Sequence, residues 1–209
     1  MEISVLNIKG KETGRKVQLS EGVFGIEPND HAIYLDVKRY MANQRQGTHK
    51  AKERAEVAFS TRKIKKQKGT GGARAGSRKS PVFVGGGTIF GPRPRTYDIK
   101  VNKKVKDLAR KSALSYKVKE SSVSIIEDFD LKTPKTKEFI DIIASLSQSN
   151  LKTLFVLPEI KMNVVLSSRN LKRSKVITVR DINTYDLLNA DRLILVEGSV
   201  SKIEELLNQ

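Results

Sequence analysis

The stretch SVSIIEDFDLKTPKTKEFIDIIASLSQSNLKTLFVLP, residues 122–158, decides the fold class. Two short runs of β-branched and aliphatic residues, SVSIIE from Ser122 and TLFVLP from Thr153, bracket a segment with a different period. Phe139, Ile142, Ile143 and Leu146 stand at i, i+3, i+4 and i+7, one face of a helix, with Thr133 placed to be its N-cap and Pro134 at its first position. Apolar runs without polar alternation read as strands buried on both faces, and a strand, helix, strand unit reads as a parallel crossover. The unit therefore predicts an open α/β sheet.

Downstream, KVITV from Lys175 and RLILVE from Arg192 repeat the strand pattern. Short helical segments fit EIKMNVVLSSRNL, INTYDLLN and the terminal SVSKIEELLNQ, where Ser201 and Glu204 have capping-box spacing. Residues 121–209 thus read as βα repeats building a mostly parallel four-stranded sheet with flanking helices, a Rossmann-like three-layer body. Upstream, EISVLNIKG and RKVQLS read as a β-hairpin, and NDHAIYLDVKRYMANQRQ as a helix with Ile33, Val37, Tyr40 and Met41 on one face. In VNKKVKDLARKSALSYKVK, Val105, Leu108, Ala109, Ser112 and Tyr116 are expected to face the sheet, with Lys103, Lys106, Arg110 and Lys117 outward.

Between those two helices the composition changes. From Thr61 to Arg95 the chain carries ten cationic side chains, eight glycines and three prolines, and the 41 residues between Glu56 and Asp98 contain no carboxylate. Helix and sheet are disfavoured there by chain entropy and missing donors, so residues 45–100 read as an extended loop inserted into a single domain spanning 1–209. A loop this long inside a compact domain implies a use or a partner.

The net charge of +17, with 40 Lys and Arg against 23 Asp and Glu, points to a polyanion. No apolar run approaches the ~20 residues that span a bilayer, and MEISVLNIKGKE has neither half of a signal sequence. A cytoplasmic location is expected, and the absence of cysteine suits it. Nucleotide motifs fail on inspection. Gly71 and Gly76 have P-loop spacing, but Ser77 stands where lysine is required; Gly69, Thr70 and Gly71 open a dinucleotide fingerprint that Arg74 breaks. His31 and His49 have no metal-ligand spacing around them, and Glu127, Asp128 and Asp130 follow a strand without an accompanying base or nucleophile, so they read as a solvated turn. No cofactor, metal or catalytic residue is expected.

RNA chemistry, by contrast, fits the loop. Arg62, Lys63, Lys65, Lys66, Lys68, Arg74, Arg78, Lys79, Arg93 and Arg95 can neutralise phosphates, and arginine can also stack on bases. Phe59, Phe83, Phe90 and Tyr97 are spaced as stacking groups or, in the blander reading, as apolar anchors of the loop.

The runs NQRQGTHKAKERAEV, KKQKGTGGARAGSRKSPVFVGGGTIFGPRPR and VNKKVKDLARKSALS closely resemble the bacterial large-subunit ribosomal protein L-four family, nearly end to end, with KTPKTKEF and SSRNL in the C-terminal half fitting as well. The resemblance implies an α/β body on the outer face of the large subunit and an arm threading into its rRNA early in assembly. It also implies a tip at the nascent-peptide exit tunnel, beside ribosomal protein L-twenty-two, near the macrolide site and facing the nascent peptide. Carried over by position, the tip is Gln67, Lys68, Gly69, Thr70, Gly71, Gly72, Ala73 and Arg74, with Lys68 facing the tunnel. Lys65 replaces a common aromatic and Gly72 a common arginine. Arg45, Lys50, Lys52 and Arg54 would extend RNA contact down one side of the arm, and Lys103, Lys104 and Arg110 down the other. No homo-oligomer is expected. Two alternatives remain open: an added regulatory grip on a messenger leader, and an α/β enzyme whose cationic lid closes on a phosphorylated substrate.

Overall fold

The computed structural model describes residues 1–146 and 151–208. It divides into two compact units, Met1–Met41 with Lys100–Gln209, and Ala42–Ile99. Gln209, which ends the last expected helical segment, lies outside the described residues.

The first unit is an α/β sheet. Its strands are β1 (Glu2–Leu6), β2 (Glu12–Gln18), β3 (Val123–Ile126), β4 (Thr153–Leu157), β5 (Ser174–Thr178) and β6 (Arg192–Val196). Its helices are α1 (Glu21–Phe24), α2 (Asp30–Asn43), α3 (Lys103–Lys119), α4 (Thr136–Leu146), α5 (Met162–Ser168), α6 (Thr184–Asn189) and α7 (Glu197–Leu207). The sheet has six strands in the order β2-β1-β3-β6-β4-β5, not the four expected. The hairpin is the reason. Two strands alone cannot bury a face, so β1 joins β3 in parallel, pairing Val5 with Ile125 and Leu6 with Ile126, and β2 becomes an antiparallel edge.

Alternation along the strands makes two apolar layers. Val5, Ile125, Leu154, Val156, Leu193 and Leu195 face a cluster completed by Val23 and Phe24 of α1, Leu114 of α3, Leu187 of α6 and Ile203 of α7. Ile126, Phe155, Leu157, Ile194 and Val196 face the other, completed by Phe139, Ile142 and Ile143 of α4 and Val164 of α5. From β3 through β4 to β5 the chain advances across the sheet over the second layer. It then steps back to β6 through α6 on the first. Reversing direction and face together keeps the crossover hand constant.

Several local expectations are corrected. Helix α4 begins at Thr136, so Thr133 and Pro134 precede it. Ser201 lies inside α7, and the Glu204 carboxylate accepts from the Ser20 backbone N–H at 2.8 Å instead of closing a capping box. On α2 the buried residues are Ala32, Ile33 and Asp36, while Met41 is exposed. The Asp36 carboxylate accepts from Thr184 Oγ1 at 2.6 Å and pairs with Arg39 at 2.9 Å, and Tyr40 stacks on Tyr185. On α3, Lys117 is buried with its ammonium 3.4 Å from Glu120, Leu108 is exposed, and the Tyr116 hydroxyl donates to Asp30.

The hairpin turn is fixed twice. Asn7 Oδ1 accepts from the N–H groups of Lys9 and Lys11 at 2.9 and 3.0 Å, and Ser145 Oγ donates to the Ile8 carbonyl at 2.8 Å. Gly10 sits at φ +75°, and a Cβ there would lie 2.2 Å from the Ser145 carbonyl oxygen. Gly10→Ala therefore should destabilise the protein by about 1–3 kcal/mol, measured as a lower denaturant midpoint with an unchanged m value.

Candidate nucleic-acid interface

The second unit, residues 42–99, holds fourteen Lys and Arg against Glu53, Glu56 and Asp98. Neither apolar cluster of the described residues includes any of its side chains. Its shape comes instead from sparse backbone bonds between two legs. At the base, Asn43 Oδ1 accepts from Ile99 N–H at 3.2 Å, and the Arg95 N–H donates to the Gly47 carbonyl at 3.1 Å. Higher up, the Ala51 N–H donates to Pro92 and the Thr88 N–H to Lys52, at 3.0 and 2.9 Å. The residues from Ser77 to Gly87 curl through successive turns, in which Ser80 N–H donates to Ser77, Phe83 to Ser80 and Gly86 to Phe83, closed by Gly87 N–H to Lys79. Beyond the curl one further rung joins the Ile64 N–H to the Gly76 carbonyl at 3.0 Å. The segment expected to be an extended loop thus carries a ladder of backbone bonds.

Glycine makes the rungs possible. A Cβ at Gly47 would stand 2.1 Å from the Arg95 carbonyl oxygen, at Gly87 2.4 Å from the Arg54 nitrogen, and at Gly91 2.5 Å from the Ala51 Cβ. At the expected tip the situation differs. Gly69 and Gly71 have φ of +76° and +66°, yet nothing lies within 4 Å of a Cβ built on either, or on Gly76.

The cations fall into distinct settings. Lys50 pairs with Glu56 and Arg93 with Glu53, the latter at 2.6 Å. The Lys50 hydrogen bond, with that of the Glu53 N–H, holds the Glu56 carboxyl below its ordinary range and so keeps it charged. Lys52, Arg54, Arg62, Lys63, Lys65, Lys66, Lys68, Arg74, Arg78 and Lys79 have no carboxylate partner among the described residues, and Lys63 reaches only Gln67. Residues 61–74, which include the expected tip, are exposed throughout. In the first unit, Arg110 pairs with Asp107 at 3.0 Å, whereas Lys103 and Lys104 occupy the first turn of α3, which holds no acid. Two lysines at the positive end of a helix are electrostatically misplaced unless an anion approaches.

Of the aromatics, Tyr97 anchors the base, with the guanidinium of Arg45 3.8 Å and that of Arg95 4.7 Å from its ring centre. The sequence reading missed this double cation–π contact; the spacing of Arg45, Arg95 and Tyr97 shows it only once Gly47 is known to face Arg95. Phe59 and Phe90 are exposed. Elsewhere, Glu127 meets Arg15, Asp128 meets Lys161 at 2.5 Å, and Asp130 accepts from Leu131 N–H, so the acids after β3 serve structure. Among the described residues no acid or histidine cluster could hold a metal ion, and no helix is long and apolar enough to cross a membrane.

Comparison with known proteins identifies the source of this architecture. The family model described as "Ribosomal protein L4/L1 family" matches residues 17–206. The chain belongs to the ribosomal protein L4/L1 family. It is 70% identical to the large ribosomal subunit protein uL4 of Cytophaga hutchinsonii over 208 residues, covering 100% of both chains. It is 63% identical to that of Flavobacterium johnsoniae over 209 residues, again covering 100% of both, and 61% identical to that of Parabacteroides distasonis over 205 residues, covering 98% of each. Membership makes it a structural ribosomal protein rather than an enzyme, and the reading of the cationic segment as a catalytic lid falls away.

The Arg95 hydrogen bond and the charges of Arg95 and Arg45 hold the Tyr97 phenol below its ordinary range. A depressed phenol favours the closed base only as it ionises, so the base should tighten as pH rises through the folded-state value and lose that gain as pH falls back through it. Tyr97→Leu should speed amide exchange at Arg95 and Ile99 and abolish that pH dependence, as read by hydrogen–deuterium exchange.

Proposed function

We propose that the chain is a structural constituent of the large ribosomal subunit, ribosome-bound in the cytoplasm, whose arm penetrates large-subunit rRNA early in assembly. The observation that carries this reading is the arm itself: fourteen cations on a backbone ladder, two of them paired with its glutamates and six of them in the fully exposed residues 61–74. Such a segment repels itself in isolation. Polyanion binding offsets that repulsion through counterion release.

The α/β sheet buries its two apolar layers without help, so it folds first, while the arm completes its ordering against RNA. Contacts from Arg62, Lys65, Lys66, Arg74, Arg78, Lys79 and Arg95 read phosphate positions, and Arg45, Lys52 and Arg54 of the arm and Lys103 and Lys104 of the first unit add further ones. Lys50, Arg93 and Arg110, each held by a carboxylate, add less charge toward RNA. Residues 67–74 form the tip that lines the exit tunnel beside L-twenty-two, with Lys68 toward the nascent peptide. The names of the relatives, which place them in the large subunit, support the same reading.

Substituting Arg62, Lys65, Lys66 and Arg74 together by Gln should leave folding intact, since all four are exposed. The slope of log affinity for large-subunit rRNA against log salt should then fall by roughly 3, at about 0.7–0.9 for each phosphate no longer neutralised. An unchanged slope would place RNA recognition elsewhere on the chain.

A further inference from the structure

One part of the arm has a different chemistry from the phosphate-facing remainder. A cleft of about 520 Å³ opens between the legs, lined by Ala51, Glu53, Arg54, Ile89, Phe90 and Arg93. Phe90 has a relative exposure of 103% and a φ of +57°, so a large apolar ring stands wholly in water on a left-handed backbone. Both features are unfavourable in the free protein, and such strain persists where surrounding structure imposes it. Here the surroundings do impose it. The corner is clamped by the rungs from Thr88 to Lys52 and from Ala51 to Pro92, at 2.9 and 3.0 Å. Gly91 leaves no space, because a Cβ there would lie 2.5 Å from the Ala51 Cβ and 3.1 Å from the Thr88 Cγ2. The ring is therefore presented by a fixed corner.

Charged groups border the ring. Arg54 has no carboxylate partner among the described residues, and Arg93 binds Glu53 through its Nε at 2.6 Å while its side chain remains 76% exposed. An aromatic face, a free guanidinium and an oriented carboxylate together match the parts of a single nucleotide. The ring suits the base plane, the guanidinium suits the phosphate, and the carboxylate suits an N–H on the base edge. Arg54 is uncompensated in an arm already strongly positive, which favours an occupant with a charge on every unit, as a nucleotide strand has.

We propose that this cleft captures one unpaired nucleotide of large-subunit rRNA, its base stacked on Phe90, its phosphate against Arg54 and its edge donating to Glu53. The proposal rests on the reading of the arm as an rRNA-binding element. It adds a site of base recognition to contacts that otherwise follow the phosphate backbone.

The test uses the full chain and a large-subunit rRNA transcript. Phe90 is fully exposed, so Phe90→Ala disturbs no buried packing and the variant should melt as the parent does. Phe90→Ala should weaken binding by about 5- to 150-fold, the range for removal of one stacked base. The salt slope should stay constant, because every phosphate stays neutralised as before. Phe90→Tyr should bind nearly as the parent does. Chemical probing should show one unpaired base protected by the parent and by Phe90→Tyr but reactive with Phe90→Ala, within an otherwise retained footprint. Equal affinity and footprint for parent and Phe90→Ala would overturn the proposal. So would a defect in subunit incorporation without one on naked rRNA, which points to a protein occupant. A parent chain that binds rRNA without salt dependence would overturn the reading of the arm itself, and the proposal with it.

Discussion

Close approach of two backbone legs is the constraint on which the arm depends. Residues 42–99 contribute no side chain to either apolar cluster among the described residues, and they carry fourteen cations, so neither burial nor charge holds them together. What remains is a handful of hydrogen bonds, each contributing about 0.5–1.5 kcal/mol net. Those bonds form only where no Cβ intervenes, which explains Gly47, Gly87 and Gly91. Two ion pairs and the Arg45–Tyr97–Arg95 stack add modest support at exposed positions. Such an arm is marginal without a partner, and its missing term is negative charge.

The sheet makes that marginality tolerable. Its strands bury Phe155, Leu157, Ile194 and Val196 on one side and Leu154, Val156, Leu193 and Leu195 on the other, so each central strand contributes to two cores at once. The chain leaves this body at α2 and re-enters it at α3, both of which have buried residues of their own. The apolar layers and the densest positive charge thus lie in different segments, and changes in the charge of the arm leave both layers untouched.

The parts legible in the sequence were those governed by short-range periodicity. Unbroken apolar runs marked β3 to β6, and the i, i+3, i+4, i+7 spacing marked α4. Pairing across long separations was not legible. The addition of β1 to β3 joins residues about 120 positions apart, and nothing in EISVL distinguishes a strand of an isolated hairpin from one paired on both sides. The Ser201 and Glu204 spacing misled for the same reason: the bond that Glu204 makes is to Ser20, 184 residues away. The face of α2 was misread because Asp36 is buried, and only Thr184 and Arg39 explain how a carboxylate can be there. In the arm, the charge and the glycines were plain, but the rungs were not, because they follow no period.

The glycines separate what the protein needs from what its partner needs. Gly47, Gly86, Gly87 and Gly91 are explained inside the chain, since a Cβ at each would meet backbone or a packed methyl at 2.0 to 2.5 Å. Gly76 has neither a positive φ nor a neighbour, and Gly69 and Gly71 have the φ but open space around them. A residue kept small where the protein leaves room is kept small for something outside the protein, or for a backbone shape that nothing in the protein enforces. Both reasons give the same result. Conformation at the base of the arm is written into the chain, whereas around Gly69 and Gly71 no neighbouring group of the chain enforces it.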